Sequence, residues 1–127
     1  MRNIKATLII CGAIYIVEGF VFLVAPDRIA DLYGFLDLSD SMKFLMTIIG
    51  SAFVAAGAWF IMAILDPIRN INVIKFAILW CSLFAISPLY GLWKGYVDFN
   101  QIWLGMAINA VFVAALLVFY PREKIEV

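Results

Sequence analysis

The sequence predicts an all-α membrane protein, an up-down antiparallel bundle of four transmembrane helices with a short interfacial helix in the first loop. Of the 127 residues, 66% are hydrophobic and only 14% are charged, whereas an ordinary soluble domain has roughly 45–50% apolar and about 25% charged residues. Four long apolar runs, separated by short polar segments, use most of the chain. We therefore predict a single four-helix transmembrane domain over residues 1–127.

The four predicted spans cover residues 7–24, 44–65, 73–93 and 101–120. Each is long enough, at about 1.5 Å per residue, to cross most of a hydrocarbon core of about 30 Å. The first span contains one charged residue, Glu18, and the third contains Lys75 near its start, while the second and fourth contain none. Continuous apolar runs of this length are typical of transmembrane helices.

Residues that cap or end helices fall at the limits of these runs. Proline stops a helix, and Ser, Asp and Asn are favoured at helix N-termini. We expect Ser39 or Asp40 to cap the second helix, Asn70 or Asn72 the third, and Asn100 the fourth. The helix-ending positions are Pro26, Asp66-Pro67 and Pro121.

The longest loop, residues 25–43, has the pattern of a short amphipathic helix. Pro26 suits a first helical position and Gly34 suits a stop. Apolar residues lie on one side and charged residues on another, namely Ile29, Leu32 and Tyr33 against Asp27, Arg28 and Asp31. The loop is either a short interfacial helix or an ordered connecting turn.

Lysine and arginine counts in the short loops predict the orientation. Six basic residues fall on one side and three on the other: Arg2, Lys5, Arg69, Lys75, Arg122 and Lys124 against Arg28, Lys43 and Lys94. Both termini should therefore be cytoplasmic. A signal peptide is the alternative for the first run, but Glu18 and the lack of a small-x-small cleavage pattern favour a retained span.

Small residues predict which helix faces pack together, because apolar surface gives little drive for association in lipid. With short loops, each helix should lie beside its predecessor. The predicted contact faces are Gly12 and Gly19 in the first span, Ser51, Ala55 and Ala58 in the second, Ala77, Cys81 and Ala85 in the third, and Gly105, Ala110 and Ala114 in the fourth.

The composition disfavours several function classes. Nine basic residues balance nine acidic residues, so we expect no nucleic-acid partner. The chain has no histidine and only two cysteines, Cys11 and Cys81, both inside apolar runs. We therefore expect no metal ion, no thiol chemistry and no catalytic residues, and an enzyme is the less favoured class.

Glu18 is the main candidate site residue, because an ionisable group within a span is costly unless it is paired, wetted or neutral. We expect Glu18 to be protonated at neutral pH and to donate a hydrogen bond inside the bundle. Tyr15 lies one turn away on the same face and is the predicted local partner of Glu18. The other polar side chains at comparable depth are Asn109, Ser51, Ser87 and Tyr90. Glu18 either binds a proton, a cation or a polar head group, or joins helices structurally.

The segment Tyr15-x-x-Glu18-Gly19, followed by Leu23-x-Ala25-Pro26-Asp27 and by Gly50 and Gly57 in the second span, resembles the small four-helix DoxX-like and BphX-like membrane proteins. The resemblance implies a bacterial inner-membrane protein. It also implies a quinone-associated or accessory role. We predict an accessory subunit in a homo-oligomer or larger membrane complex, with a pocket for a lipophilic ligand, a quinone or a lipid, near Glu18.

The alternative function is a small proton-coupled transporter that uses Glu18. The stretch from Ala13 to Glu18 is similar to the first helix of the small multidrug resistance transporters, which carry a membrane-embedded glutamate. The third span departs from that family, because Trp80 is followed by Cys81-Ser82 rather than by Ser-Gly.

Overall fold

The structure is a computed structural model that describes residues 2–35 and 38–122, and over these residues it consists of helices and connecting segments. The helices are α1 (Arg2–Val24), α2 (Pro26–Tyr33), α3 (Asp40–Met62), α4 (Ile71–Lys94) and α5 (Phe99–Val118), and a single 3₁₀ turn, Ala63–Leu65, extends α3. Lys124, which entered the orientation prediction, lies outside the described residues.

Four of the helices in the described part of the chain, α1, α3 with its 3₁₀ turn, α4 and α5, are long and apolar enough to cross a membrane. The predicted fold class is therefore confirmed. α1 begins at Arg2, five residues before the predicted span, because the polar residues that precede the apolar run are also helical. The other three spans agree with the helices to within a few residues.

The helix ends confirm some of the predicted caps and correct others. The Ser39 hydroxyl oxygen accepts a hydrogen bond from the Met42 amide at 3.2 Å, as predicted. α5 is capped by Asp98, whose amide donates to Oε1 of Gln101 at 2.8 Å, so the prediction that Asn100 is the cap was wrong. Asn70 precedes α4, but its side chain donates to the Asp66 carbonyl at 2.9 Å.

The first loop contains a helix, α2, rather than a plain turn. Pro26 occupies its first turn, and Gly34 ends it with φ +76°, a left-handed conformation that favours glycine. Of the apolar residues of α2, Ile29 is buried against the bundle, whereas Leu32 is 65% exposed. The Lys43 ammonium lies 3.5 Å from an Asp27 carboxylate oxygen and links the starts of α2 and α3.

Four glycines bring α1 and α3 into backbone contact. A Cβ added to Gly12 would lie 2.6 Å from the Gly57 carbonyl oxygen, and one added to Gly19 would lie 2.6 Å from the Gly50 carbonyl oxygen. Gly12 and Gly19 therefore pack as predicted. The predicted face of the second span was wrong, because Ser51 and Ala55 are exposed, whereas Gly50, Phe53, Gly57 and Phe60 are buried.

The bundle consists of two helical hairpins, α1–α3 and α4–α5, which meet mainly through α1 and α5. Consecutive helices α3 and α4 contact each other over only a short length, so the expectation that each helix packs along its predecessor fails at this step. Ala77 and Cys81 of α4 are buried as predicted. In α5, however, Ala110 and Ala114 are exposed, and the buried positions are Ile102, Phe112 and Leu116.

We predict that Gly57→Ala destabilises the protein by about 1–3 kcal/mol, because the new methyl group would push α1 and α3 apart. The measurement is the thermal midpoint of unfolding in detergent. Gly105→Ala is the matched control, since a Cβ at Gly105 meets nothing within 4 Å. Both changes raise helix propensity equally, so equal midpoints would contradict the close-contact interpretation.

Candidate ligand-binding site

A cavity of about 280 Å³ lies between all four long helices, beside the C-terminal end of α2. Aromatic rings form much of its lining in the described part of the chain: Tyr15, Phe22, Tyr33, Phe35, Phe53, Phe84 and Phe112. Its polar groups are the carboxyl of Glu18, the hydroxyls of Tyr15 and Tyr33, and the amides of Gln101 and Asn109. The cavity is thus mostly apolar and has a small number of polar side chains in its wall.

The rings in the wall are held by edge contacts with one another. The Phe53 ring centroid lies 5.2 Å from that of Tyr15 and 5.2 Å from that of Phe84, with interplanar angles of 81° and 77°. Trp80 packs behind this wall, 5.1 Å from the Phe84 ring. Such T-shaped pairs add to the packing energy of the rings and fix their orientation.

Glu18 is half-buried and contributes the single carboxyl group found in the described lining of the cavity. α1 places it one turn after Tyr15, so that both side chains reach the cavity, as the sequence predicts. The partner of the carboxyl group is Tyr33 at the end of α2, whose hydroxyl donates to Oε1 of Glu18 at 3.5 Å. The predicted pairing of Glu18 with Tyr15 is therefore corrected.

Tyr33 keeps its phenolic proton at physiological pH. Burial against the bundle, followed by the neighbouring Glu18 carboxyl group, raises the pKa of Tyr33 to about 12. Because the raised pKa lies far above neutrality, the Tyr33 hydroxyl remains a hydrogen-bond donor throughout the physiological range.

Tyr15 of α1 is hydrogen-bonded to Asn109 of α5. The Tyr15 hydroxyl donates to Oδ1 of Asn109, and Nδ2 of Asn109 donates to the Gly105 carbonyl at 2.8 Å. The structure therefore brings together three of the predicted site residues, Tyr15, Glu18 and Asn109, around one cavity.

The other three predicted site residues lie outside the described lining of the cavity. Ser51 is exposed, and its hydroxyl donates to the Thr47 carbonyl of its own helix at 3.0 Å. Ser87 is exposed, and Tyr90 is 58% exposed with its ring 5.9 Å from that of Trp93. The reason is helical phase: residues at similar depth but a few positions apart point in different directions.

Two polar residues of the cavity wall were not predicted, Tyr33 and Gln101. Nε2 of Gln101 donates to the Gly34 carbonyl at 3.1 Å and so ties the end of α2 to the start of α5. Tyr33 already stood on the apolar side of the predicted loop helix, and this was the signal that it faces the bundle. Nothing in the sequence indicated that α2 folds back to the level of Glu18.

Cys11 and Cys81 are free thiols that meet inside the bundle. Their sulfur atoms lie 3.8 Å apart, and both side chains are fully buried. The sequence did not indicate that the side chains of Cys11 and Cys81 touch. Over residues 2–35 and 38–122, no cluster of three or more His, Cys, Asp or Glu side chains is placed to hold a metal ion.

The four spanning helices define the class of protein to which the chain belongs, an integral, multi-pass membrane protein. In comparisons with known proteins, no protein-family model, curated protein or solved structure matches the chain.

We predict that the Tyr15–Asn109 bond stabilises the bundle and that the two side chains are energetically coupled. Tyr15→Phe and Asn109→Leu should each lower the free energy of unfolding by about 1–3 kcal/mol, because each removes the hydrogen-bond partner of the other side chain. The double variant should lose less free energy of unfolding than the sum of the losses of the two single variants. Thermal unfolding in detergent measures all three, with Ser51→Ala as an exposed control. Strictly additive losses would exclude the coupling.

Proposed function

We propose that this protein is a non-catalytic membrane protein that binds a lipophilic ligand, a quinone or a lipid, in the cavity beside Glu18. The observation that carries the proposal is the combination of an aromatic-lined cavity with a single carboxyl group in its described wall. Ligand sites in proteins are mostly apolar, with a few polar groups that set the orientation of the ligand.

The size of the cavity supports this proposal. Its volume of about 280 Å³ is close to the lower end of the range of roughly 300–1,000 Å³ that small-molecule sites occupy. A ring system or the end of a lipid chain fits such a space. The ring contacts of Phe53 with Tyr15 and Phe84 keep the wall in place without a ligand, which lowers the entropic cost of binding.

The proposal places the protein in the bacterial inner membrane as an accessory subunit, in a homo-oligomer or a larger membrane complex. Its resemblance to the DoxX-like and BphX-like proteins, carried by the Tyr15-x-x-Glu18-Gly19 segment, is one support. A second support is that Ser51 and Ala55 face away from the bundle. Small side chains on an outer face let another transmembrane helix approach closely.

We predict that both chain termini are cytoplasmic, since four spans return the chain to its starting side and the basic residues favour that side. A fluorescent protein fused to the C-terminus should fluoresce, and alkaline phosphatase fused at the same point should be inactive. Phosphatase inserted between α4 and α5, after Gly95, should be active. The reverse pattern would contradict this topology.

We predict that Gly105→Leu abolishes ligand binding by filling the cavity, because a side chain at Gly105 enters open space in its wall. Native mass spectrometry of gently extracted protein measures the bound quinone or lipid. Ala110→Leu, on the exposed side of the same helix, is the matched control and should keep the ligand. Wild-type protein that carries no ligand and gains no thermal stability from added quinone or phospholipid would contradict the proposed function.

A further inference from the structure

We infer that the ligand is a lipophilic phenol, held with its hydroxyl group against Glu18. The inference rests on the proposed function of the cavity and deepens it, because it names the chemistry of the ligand head group. It follows from an account of which hydrogen-bond donors and acceptors in the cavity wall are already used by the protein itself.

Both tyrosine hydroxyl groups of the cavity wall already donate hydrogen bonds within the protein. A tyrosine hydroxyl carries one hydrogen. Tyr33 gives its hydrogen to Oε1 of Glu18 at 3.5 Å, and Tyr15 gives its hydrogen to Oδ1 of Asn109. A ligand that only accepts hydrogen bonds therefore finds no free tyrosine hydrogen, and in the described wall it is left with the remaining amide N–H groups.

The two amides of the wall are fixed by the backbone. Nδ2 of Asn109 donates to the Gly105 carbonyl at 2.8 Å. Nε2 of Gln101 donates to the Gly34 carbonyl at 3.1 Å, while its Oε1 accepts from the Asp98 amide at 2.8 Å. Each amide thus keeps one N–H hydrogen, and its orientation is set by these contacts with the backbone.

Several hydrogen-bond acceptor atoms of the cavity wall, by contrast, remain unused. Within the described residues, Oε2 of Glu18 receives no hydrogen bond, and the hydroxyl oxygen of Tyr33 keeps free lone pairs, whereas that of Tyr15 also contacts the Cys81 sulfur at 3.9 Å. A ligand that brings its own O–H hydrogen can satisfy the carboxyl group without breaking a protein contact. If Glu18 is neutral, as the sequence predicts, its own O–H can donate to the oxygen of a phenol or of an ether, but only the phenol can also donate a hydrogen bond to Glu18.

The aromatic wall favours a phenol over an aliphatic alcohol. The Phe53 ring meets Tyr15 and Phe84 edge-on at 5.2 Å, so ring faces and edges are both available around the cavity. A flat ring gains contact energy against such a wall beyond its buried area. Within the quinone class, the same reasoning favours the hydroquinone, because quinone oxygens only accept hydrogen bonds.

The test compares two probes, para-heptylphenol and its methyl ether, para-heptylanisole, in which a methyl group replaces the donor hydrogen. Full-length protein in lipid nanodiscs is titrated with each probe by calorimetry, and empty nanodiscs correct for partitioning into lipid. We expect the phenol to bind roughly tenfold more tightly than the ether, the usual worth of one hydrogen bond.

Variants at Glu18 assign that preference to its carboxyl group. Glu18→Leu removes the acceptors and should bring phenol affinity down to that of the ether, while Glu18→Gln keeps an acceptor oxygen and should preserve the preference. Ser51→Ala, on the outer face, is the control and should change neither affinity.

Equal affinities of the phenol and the ether for wild-type protein would overturn the inference and leave the cavity as a site for lipophilic ligands in general. If neither probe binds, the inference fails, while the proposed function is decided separately by bound quinone or lipid in native mass spectrometry. A phenol preference that survives in Glu18→Leu would also overturn the assignment to Glu18. The comparison of the two probes on wild-type protein decides the inference even if Glu18→Leu does not fold.

Discussion

The backbone contact between α1 and α3 is the constraint on which the rest of the structure depends. Burying apolar surface gives helices little reason to associate in lipid, so close van der Waals contact has to supply the attraction. Gly12 meets Gly57 and Gly19 meets Gly50, about two helical turns apart along α1. Two contacts at this separation fix both the distance and the rotation of α1. They therefore also fix the direction in which Glu18, next to Gly19, points.

The cavity follows from an uneven distribution of contacts among the helices. α1 and α3 approach as closely as backbones allow, while α3 and α4 touch over only a short length, and space remains between the two hairpins. Gly105 leaves part of that space unfilled, since a Cβ there would meet nothing within 4 Å. Glycine therefore has two opposite roles in this bundle: it closes one helix pair and opens a space beside another.

The sequence predicted the spans, the fold class and half of the site, and its errors have a common physical origin. Long apolar runs and end residues such as Ser39 and Gly34 define where helices begin and end, and these signals are local. A helix that is apolar on every side gives no sign of which side faces its neighbours. For this reason Ser51 was predicted to lie on a face packed inside the bundle, whereas it is exposed. Tyr33 was missed as a partner of Glu18 because their meeting depends on how α2 folds back, which is a property of the whole bundle.

The contact between Cys11 and Cys81 lies where the two hairpins join, since Cys11 belongs to α1 and Cys81 to α4. Sulfur is large and polarisable, and its contacts have little directional requirement. The Tyr15–Asn109 hydrogen bond and the contact between the Phe53 and Phe84 rings join the same two hairpins. These contacts between the hairpins are made by side chains, whereas α1 and α3 meet through their backbones, so side-chain replacement can retune the first junction but not the second.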